Sequence, residues 1–348
     1  MEPVTHFMTG ACLARAGFNR KAAYATLAMT LAAEAPDLDT LWAFDGPVAS
    51  FQHHRGWTHT FLGLPLEAAV LLGIIWLFHR WRSRRPSARP PIAPIRWGLL
   101  YIFILIGLLS HLLLDWTNNY GVRPFFPFNP RWYAGSFVFI FEPVLFLILL
   151  TALIAPSLFG LIGSEIGARK PAFRGQNWAI FALLAMAALW TLRFVQHQKA
   201  LQLAQNNDYN GAPVLRTAAD PHPINPFRWQ TVVETPTFYQ VSTADTLNNT
   251  ISSSSEADTV FKPPTTLATL AAKQSWLGEI YLDWSQWPVV TETGIDQDGI
   301  ATVTFRDLRF LDDTPLLAPG RPTPLSGTVY VNSDRHIVRM EVGDRIQH

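Results

Sequence analysis

The chain has a single cysteine, Cys12, among 348 residues. That excludes an internal disulfide and any zinc site built on several thiolates. A metal bound here must be held by nitrogen and oxygen. Charge excess is missing too: 27 Lys and Arg stand against 26 Asp and Glu, a formal net charge of +1. General nucleic-acid binders carry a basic excess, so no direct nucleic-acid binding is expected. The opening MEPVTHFMTG has neither a basic stretch nor a continuous apolar core. A cleaved signal peptide is therefore not expected, and membrane insertion falls to internal segments.

What the chain does have is long apolar runs, all within its first 200 residues. Four of them, at 60–78, 97–115, 137–162 and 177–196, reach the ~20 residues needed to cross a bilayer. Ahead of them, 4–17 and 22–35 read as two short helices joined by FNRK, a hairpin packed against the bundle. The loop after the first span holds Arg80, Arg82, Arg84, Arg85, Arg89 and Arg96 without an acid, and the loop after the third adds Arg169, Lys170 and Arg174. Such loops face the cytoplasm, which puts residues 197–348 on the opposite side. Beyond Pro213, TVVETPTFYQVST, IATVTFRDLRF and LSGTVYVNSDRHIVRMEVG alternate in the manner of strands, and TTLATLAAKQSWLGEIYLDWSQW has helical spacing. The expected fold is mainly α. A polytopic helical membrane bundle (1–200) precedes a small extracytoplasmic, sheet-rich α+β domain (201–348).

On this map the polar residues of the apolar half gather at one face. His53, His54 and His59 precede the first span; His111 and Asp115 end the second; Glu142 opens the third. Asp37 and Asp39 follow the second short helix, and His6 starts the first. His111 and Asp115 are spaced i, i+4 and so share one helix face. Imidazole and carboxylate are donors that zinc, manganese or iron accept. Plainer explanations exist for each alone: His6, His53 and His54 as interfacial residues, Asp37 and Asp39 as a helix-ending turn, His111 as a satisfied core residue. Together, ionisable groups at a membrane edge point to a functional site. With a metal bound, water there becomes a nucleophile near neutral pH. Arg55 has the planar fork suited to phosphate. Glu142, or a non-ligating histidine such as His53, is the candidate general base or acid.

The segments THFMTGACLA, APDLDTLW, HHRGWTHTF, SHLLLDWTNNYGVRPFFPF and FEP resemble, in that order, the YdjM-like family of bacterial inner-membrane, metal-dependent hydrolases. The resemblance covers roughly residues 1–160, and HPINPFRWQTVVET and VTFRDLRF look like an extracytoplasmic tail that some members carry. The family is itself similar to zinc-dependent phospholipase C and to single-strand nucleases of the same helical fold. The resemblance implies a zinc site, of one or two ions, drawn from His6, Asp37 or Asp39, His59, and His111 with Asp115. It also implies a bacterial inner-membrane location. Three features depart from the pattern. A further H-x-x-x-E pair is broken, since Val138 stands four before Glu142; Glu142 itself stands where Asp is expected before the proline; and no signal marks the processed N-terminus that those relatives use as a ligand.

The expected function is hydrolysis of a phosphoester, in a phospholipid or other envelope material, by metal-activated water at the extracytoplasmic membrane face. The tail would cover that face or dock a protein partner. The alternative is a non-catalytic metal-binding or sensory membrane protein whose tail recognises an envelope partner. A cation transporter fits less well, because the spans turn apolar below Glu67, His111 and Glu142.

Overall fold

Helices long enough for a membrane form where the apolar runs are, with ends set by local chemistry. In this computed structural model, which describes residues 1–86, 89–165, 173–252, 259–310 and 325–347, four such helices occur. They are Leu64–Ser83, Trp97–Thr117, Pro143–Glu165 and Gln176–Asn206. The expected basic residues Arg169 and Lys170 lie outside the described residues. The first helix starts four residues later than its apolar run. Thr60 Oγ1 accepts from Gly63 N at 2.9 Å in a tight turn, and Pro65 then occupies the first helical turn, where its missing N–H costs nothing. The third starts six residues later for the same reason, at Pro143. Only 17% of the apolar window is buried within the protein in the first and fourth helices. Their remaining apolar surface needs lipid to cover it.

The chain divides into two compact units. The first comprises Met1–Leu38, Arg55–His197 and Pro221–Pro226. Its centre is a short helix, Ala25–Ala32, whose alanines pack with Met29 against Leu100, Phe103, Ile104 and Leu108. Small residues let three backbones close up here. A Cβ on Gly10 would lie 2.5 Å from the Met29 carbonyl oxygen, and one on Gly107 would lie 2.8 Å from Ala32 Cβ. The Pro3–Leu13 and Trp97–Thr117 helices therefore both press on Ala25–Ala32. The expected 4–17 helix gives way to a π-turn over Ala14–Phe18, closed by Gly17 at φ 151°, a conformation that suits glycine.

The second unit comprises Asp39–His54, Gln198–Asp220 and Phe227–His348. Residues 39–54 thus group with the C-terminal region, although their position in the sequence lies within the apolar half. Among the described residues its strands form two five-stranded sheets. One contains β1 (Arg216–Pro221), β2 (Arg228–Glu234), β3 (Phe238–Asp245), β4 (Thr250–Ser252) and β5 (Thr259–Phe261), in the order β1-β2-β3-β4 with β5 also on β3. The other runs β10-β9-β8-β7-β6, from β6 (Pro288–Ile295), β7 (Ala301–Asp307), β8 (Gly327–Val331), β9 (Ile337–Val342) and β10 (Arg345–Ile346). The helical stretch is two helices, Leu267–Lys273 and Trp276–Trp284, the second capped by Ser275. Tyr281 and Trp284 receive Phe51 of the Pro47–His53 helix at ring distances of 5.8 and 5.1 Å. Asp307 is buried with Arg309, Ser285 Oγ and the Gln286 amide on its carboxylate, which leaves that buried charge satisfied.

Candidate metal centre

Three separate segments bring four donors together. Asp37 lies in the first turn of the 3-10 helix Ala35–Asp45, and His59 ends the short turn Trp57–His59. His111 and Asp115 sit one turn apart near the end of Trp97–Thr117. One donor atom from each falls within 4.8 Å of all the others. Nε2 of His59 and Nε2 of His111 are 3.0 Å apart. Asp115 Oδ2 is 3.5 Å from both, and Asp37 Oδ1 is 3.6 Å from the first and 3.5 Å from the second. His59, His111 and Asp115 are fully buried, while the Asp37 side chain keeps 17% exposure. The adjacent His111 and His59 rings outweigh burial and hold the Asp37 carboxyl well below the usual carboxylate range.

The donor set fits a small divalent ion. Ligands 2.0–2.1 Å from a tetrahedral ion lie about 3.3–3.5 Å from one another. Five of the six donor pairs measured here fall between 3.0 and 3.6 Å. The tautomers agree with this. His111 Nδ1 donates its proton to the Ala33 carbonyl at 2.7 Å, which leaves Nε2, on the side of His59, as the nitrogen available to a metal. A backbone acceptor on the far nitrogen is the usual outer partner of a metal-bound imidazole. Asp115 Oδ2 is buried with no hydrogen bond of its own. Converging lone pairs and carboxylates in a buried site need a cation, whether metal or proton.

Asp115 divides its two oxygens between different tasks. Oδ2 faces the imidazoles, whereas Oδ1 is held by Arg55 at 2.9 Å, by His6 Nε2 at 3.2 Å and by the Met1 amino group. Arg55, at φ 55°, also donates to the Gly121 carbonyl at 2.8 Å and lies over the Tyr120 ring. Its fork is thus turned inward to protein acceptors, and the phosphate-facing position expected for it is not what the fold gives. His6, expected among the ligands, stands behind them. Its ring stacks on His111 at 3.9 Å, and Nε2 is turned to the outer oxygen of Asp115. Burial, the neighbouring amino group and His111 push the His6 pKa down to about 3, so its ring is neutral.

The other expected residues go elsewhere. Asp39 belongs to the second unit and pairs with His54 Nδ1 at 3.1 Å. His53 stacks on Trp42 at 4.1 Å in that same unit. Glu142 is fully buried and ion-paired with Arg193, whose guanidinium also donates to the carbonyls of His222 and Pro223 at 3.2 and 3.3 Å. A carboxylate held this way is a buried structural partner, and Glu142 is not one of the four donors. Arg193 was missed from the sequence, although a lone arginine inside an apolar run (TLRFVQ) was the signal for it. The Ala33 carbonyl left no trace in the sequence, since any residue supplies one.

Fold and site together define a multi-span membrane protein with a buried His/Asp group able to hold a metal ion. The chain belongs to the family of YdjM inner membrane proteins, whose model matches residues 1–200. A 161-residue stretch is 26% identical to the uncharacterized protein YfhP of Bacillus subtilis (strain 168). That match covers 44% of this chain and 45% of the relative, so the chain spans under half of that protein's length. No solved structure matches the chain.

Proposed function

We propose that the chain is a membrane-bound, metal-dependent hydrolase that cleaves a phosphoester at the extracytoplasmic membrane face. The carrying observation is the set of five donor separations between 3.0 and 3.6 Å among Asp37, His59, His111 and Asp115. Two nitrogens and two oxygens without sulfur suit zinc, and a single ion accounts for all four donors. Bound there, a divalent ion supplies Lewis acidity and lowers the pKa of water toward neutrality. The chain's own residues do the rest. Arg55 and His6 hold the outer oxygen of Asp115, which aims the inner oxygen at the imidazoles. The Ala33 carbonyl fixes the His111 tautomer. Asp37, the one donor with solvent exposure, marks the side from which substrate reaches the site. The orientation rests on the arginine-rich loop between the first two spans, and the substrate is either a phospholipid or a soluble phosphoester.

One observation favours a second account. Four protein donors complete a tetrahedron, as in structural sites, whereas catalytic zinc sites keep an open position. The protein would then bind metal without turnover. Purified full-length protein, wild type and His111→Ala, separates the two through metal content together with hydrolysis of bis(p-nitrophenyl) phosphate and of phospholipid. Turnover that disappears along with the metal in the variant supports the hydrolase. Metal without turnover on any ester supports the binding protein, and a metal-free wild type overturns both.

A further inference from the structure

The 3-10 helix that carries Asp37 in its first turn runs for 11 residues, Ala35–Asp45. That length is unusual, because the hydrogen-bond geometry of this form is poor and runs beyond about four residues are uncommon. Something outside the helix must hold it. The chain passes from the first compact unit to the second between Leu38 and Asp39, and it returns between His54 and Arg55. Two of the four donors, Asp37 and His59, therefore flank an excursion, residues 39–54, that belongs with the C-terminal strands.

Gln347, just after β10, clasps that excursion at its middle. Its Oε1 accepts from the Val48 amide at 2.9 Å, and its Nε2 donates to the Asp45 carbonyl at 3.1 Å. Asp45 ends the 3-10 helix and Val48 lies in the first turn of Pro47–His53, so both are backbone groups that a helix end leaves without an internal partner. Gly46 stands between them with no side chain to cap the second helix. Its φ is 108°, and a Cβ there would lie 2.4 Å from both amide atoms of Gln347, so only glycine suits the clasp. Phe51 then packs on Tyr281 and Trp284, and Gln52 Oε1 accepts from Trp276 Nε1 at 3.1 Å. The two helices are tied to each other as well, by the His53–Trp42 stack at 4.1 Å and the His54–Asp39 pair at 3.1 Å.

We propose that Gln347 and Phe51 are positioning residues for the metal centre: by gripping residues 39–54 they fix the backbone that carries Asp37 at one end and leads to His59 at the other. The remaining donors, His111 and Asp115, need no such help, since one long helix holds both. Coupling of this kind is reciprocal, so loosening the clasp weakens metal binding and bound metal tightens the clasp. The C-terminal unit thus controls the metal centre without supplying a ligand to it. The inference rests on the metal centre described above and not on its being catalytic.

The test uses full-length protein in detergent: wild type, Gln347→Leu, which keeps the bulk and loses both hydrogen bonds, and Phe51→Ala. Each is titrated with Zn²⁺ against a chromogenic chelator, well below its unfolding temperature. Both replacements should raise the Kd for zinc about 5-fold or more, which a merely structural role would not do in protein that stays folded. The reciprocal measurement needs no replacement. Zn²⁺ should slow hydrogen exchange at the Val48 amide of the wild type about 5-fold or more, leave the amides of β7 and β8 unchanged, and have no such effect in His111→Ala. A Kd that neither replacement alters, or a Val48 amide indifferent to zinc in a wild type that binds it, would overturn the proposal and leave the metal centre standing. A wild type that binds no zinc would overturn both.

Discussion

His59 and His111 point their Nε2 atoms at each other across 3.0 Å, and the far nitrogen of His111 is fixed on the Ala33 carbonyl. A proton held between the two rings satisfies that contact, and so does a metal ion that takes both nitrogens as ligands. Metal binding should therefore stabilise the folded protein, by about 4 kcal/mol when free metal is a thousandfold above its Kd. Thermal unfolding of detergent-solubilised protein should shift down by several degrees on adding a chelator. His111→Ala should unfold at one temperature with or without it. An equal chelator response in the two proteins would contradict the assignment of His111.

Arg55 neutralises the outer oxygen of Asp115 in a fully buried setting. Arg55→Met leaves that carboxylate short of its main cation and should cost about 3–5 kcal/mol. Removing an outer partner of a ligand also weakens metal affinity by roughly 10–100-fold. Arg55→Lys should not restore it, because an ammonium cannot reach Asp115 and the Gly121 carbonyl with one planar fork. Competitive metal titration against a chromogenic chelator measures both variants.

Glu142 and Arg193 form a pair apart from the metal donors. Glu142→Gln should keep wild-type metal stoichiometry and lose stability. Arg193→Met should cost about 3–5 kcal/mol by stranding the carboxylate, and Glu142→Leu/Arg193→Met should cost less than Arg193→Met alone. Denaturation midpoints of the three variants, with metal analysis on Glu142→Gln, are the check.

Gly107 lies one turn before His111 on the face that presses on Ala25–Ala32. Replacing a helical glycine by alanine ordinarily gains about 0.5–1 kcal/mol. At Gly107 the new methyl would meet Ala32 Cβ at 2.8 Å and the Met29 carbonyl oxygen at 2.9 Å. Gly107→Ala should therefore destabilise by about 1–3 kcal/mol and weaken metal binding by drawing His111 off Ala33. Gly73→Ala, where nothing lies within 4 Å, should be neutral or stabilising. Parallel melting curves of the two variants measure the difference.

The spans are legible because a bilayer demands long apolar runs, and the strands because Val, Thr, Tyr and Phe recur in near alternation, which β7 and β8 keep most regularly. Helical spacing puts His111 and Asp115 on one face, and the other ionisable groups at the same membrane edge are what make that pair a candidate site. Asp37 and Asp39 could not be told apart, because a 3-10 helix turns about 120° per residue and sends neighbours two apart to different faces. His6 was placed at the right end of the bundle, but the sequence could not tell whether its ring joins the donors or backs them. In the sequence Glu142 stands without a visible partner and so offers itself for acid–base work; its partner, Arg193, lies in a different helix. Arg55 was read by its chemistry alone, and its direction depended on a φ of 55° that no sequence pattern announces.

X-ray absorption at the metal edge of purified wild-type protein, with metal per chain measured on the same sample, tests the metal centre most directly. The account predicts about one ion per chain, with nitrogen and oxygen neighbours near 2.0–2.1 Å, two imidazoles among them and no sulfur. His59→Ala/His111→Ala should abolish the signal. A wild-type protein without stoichiometric metal, or a double variant that keeps it in the same coordination, would contradict the account.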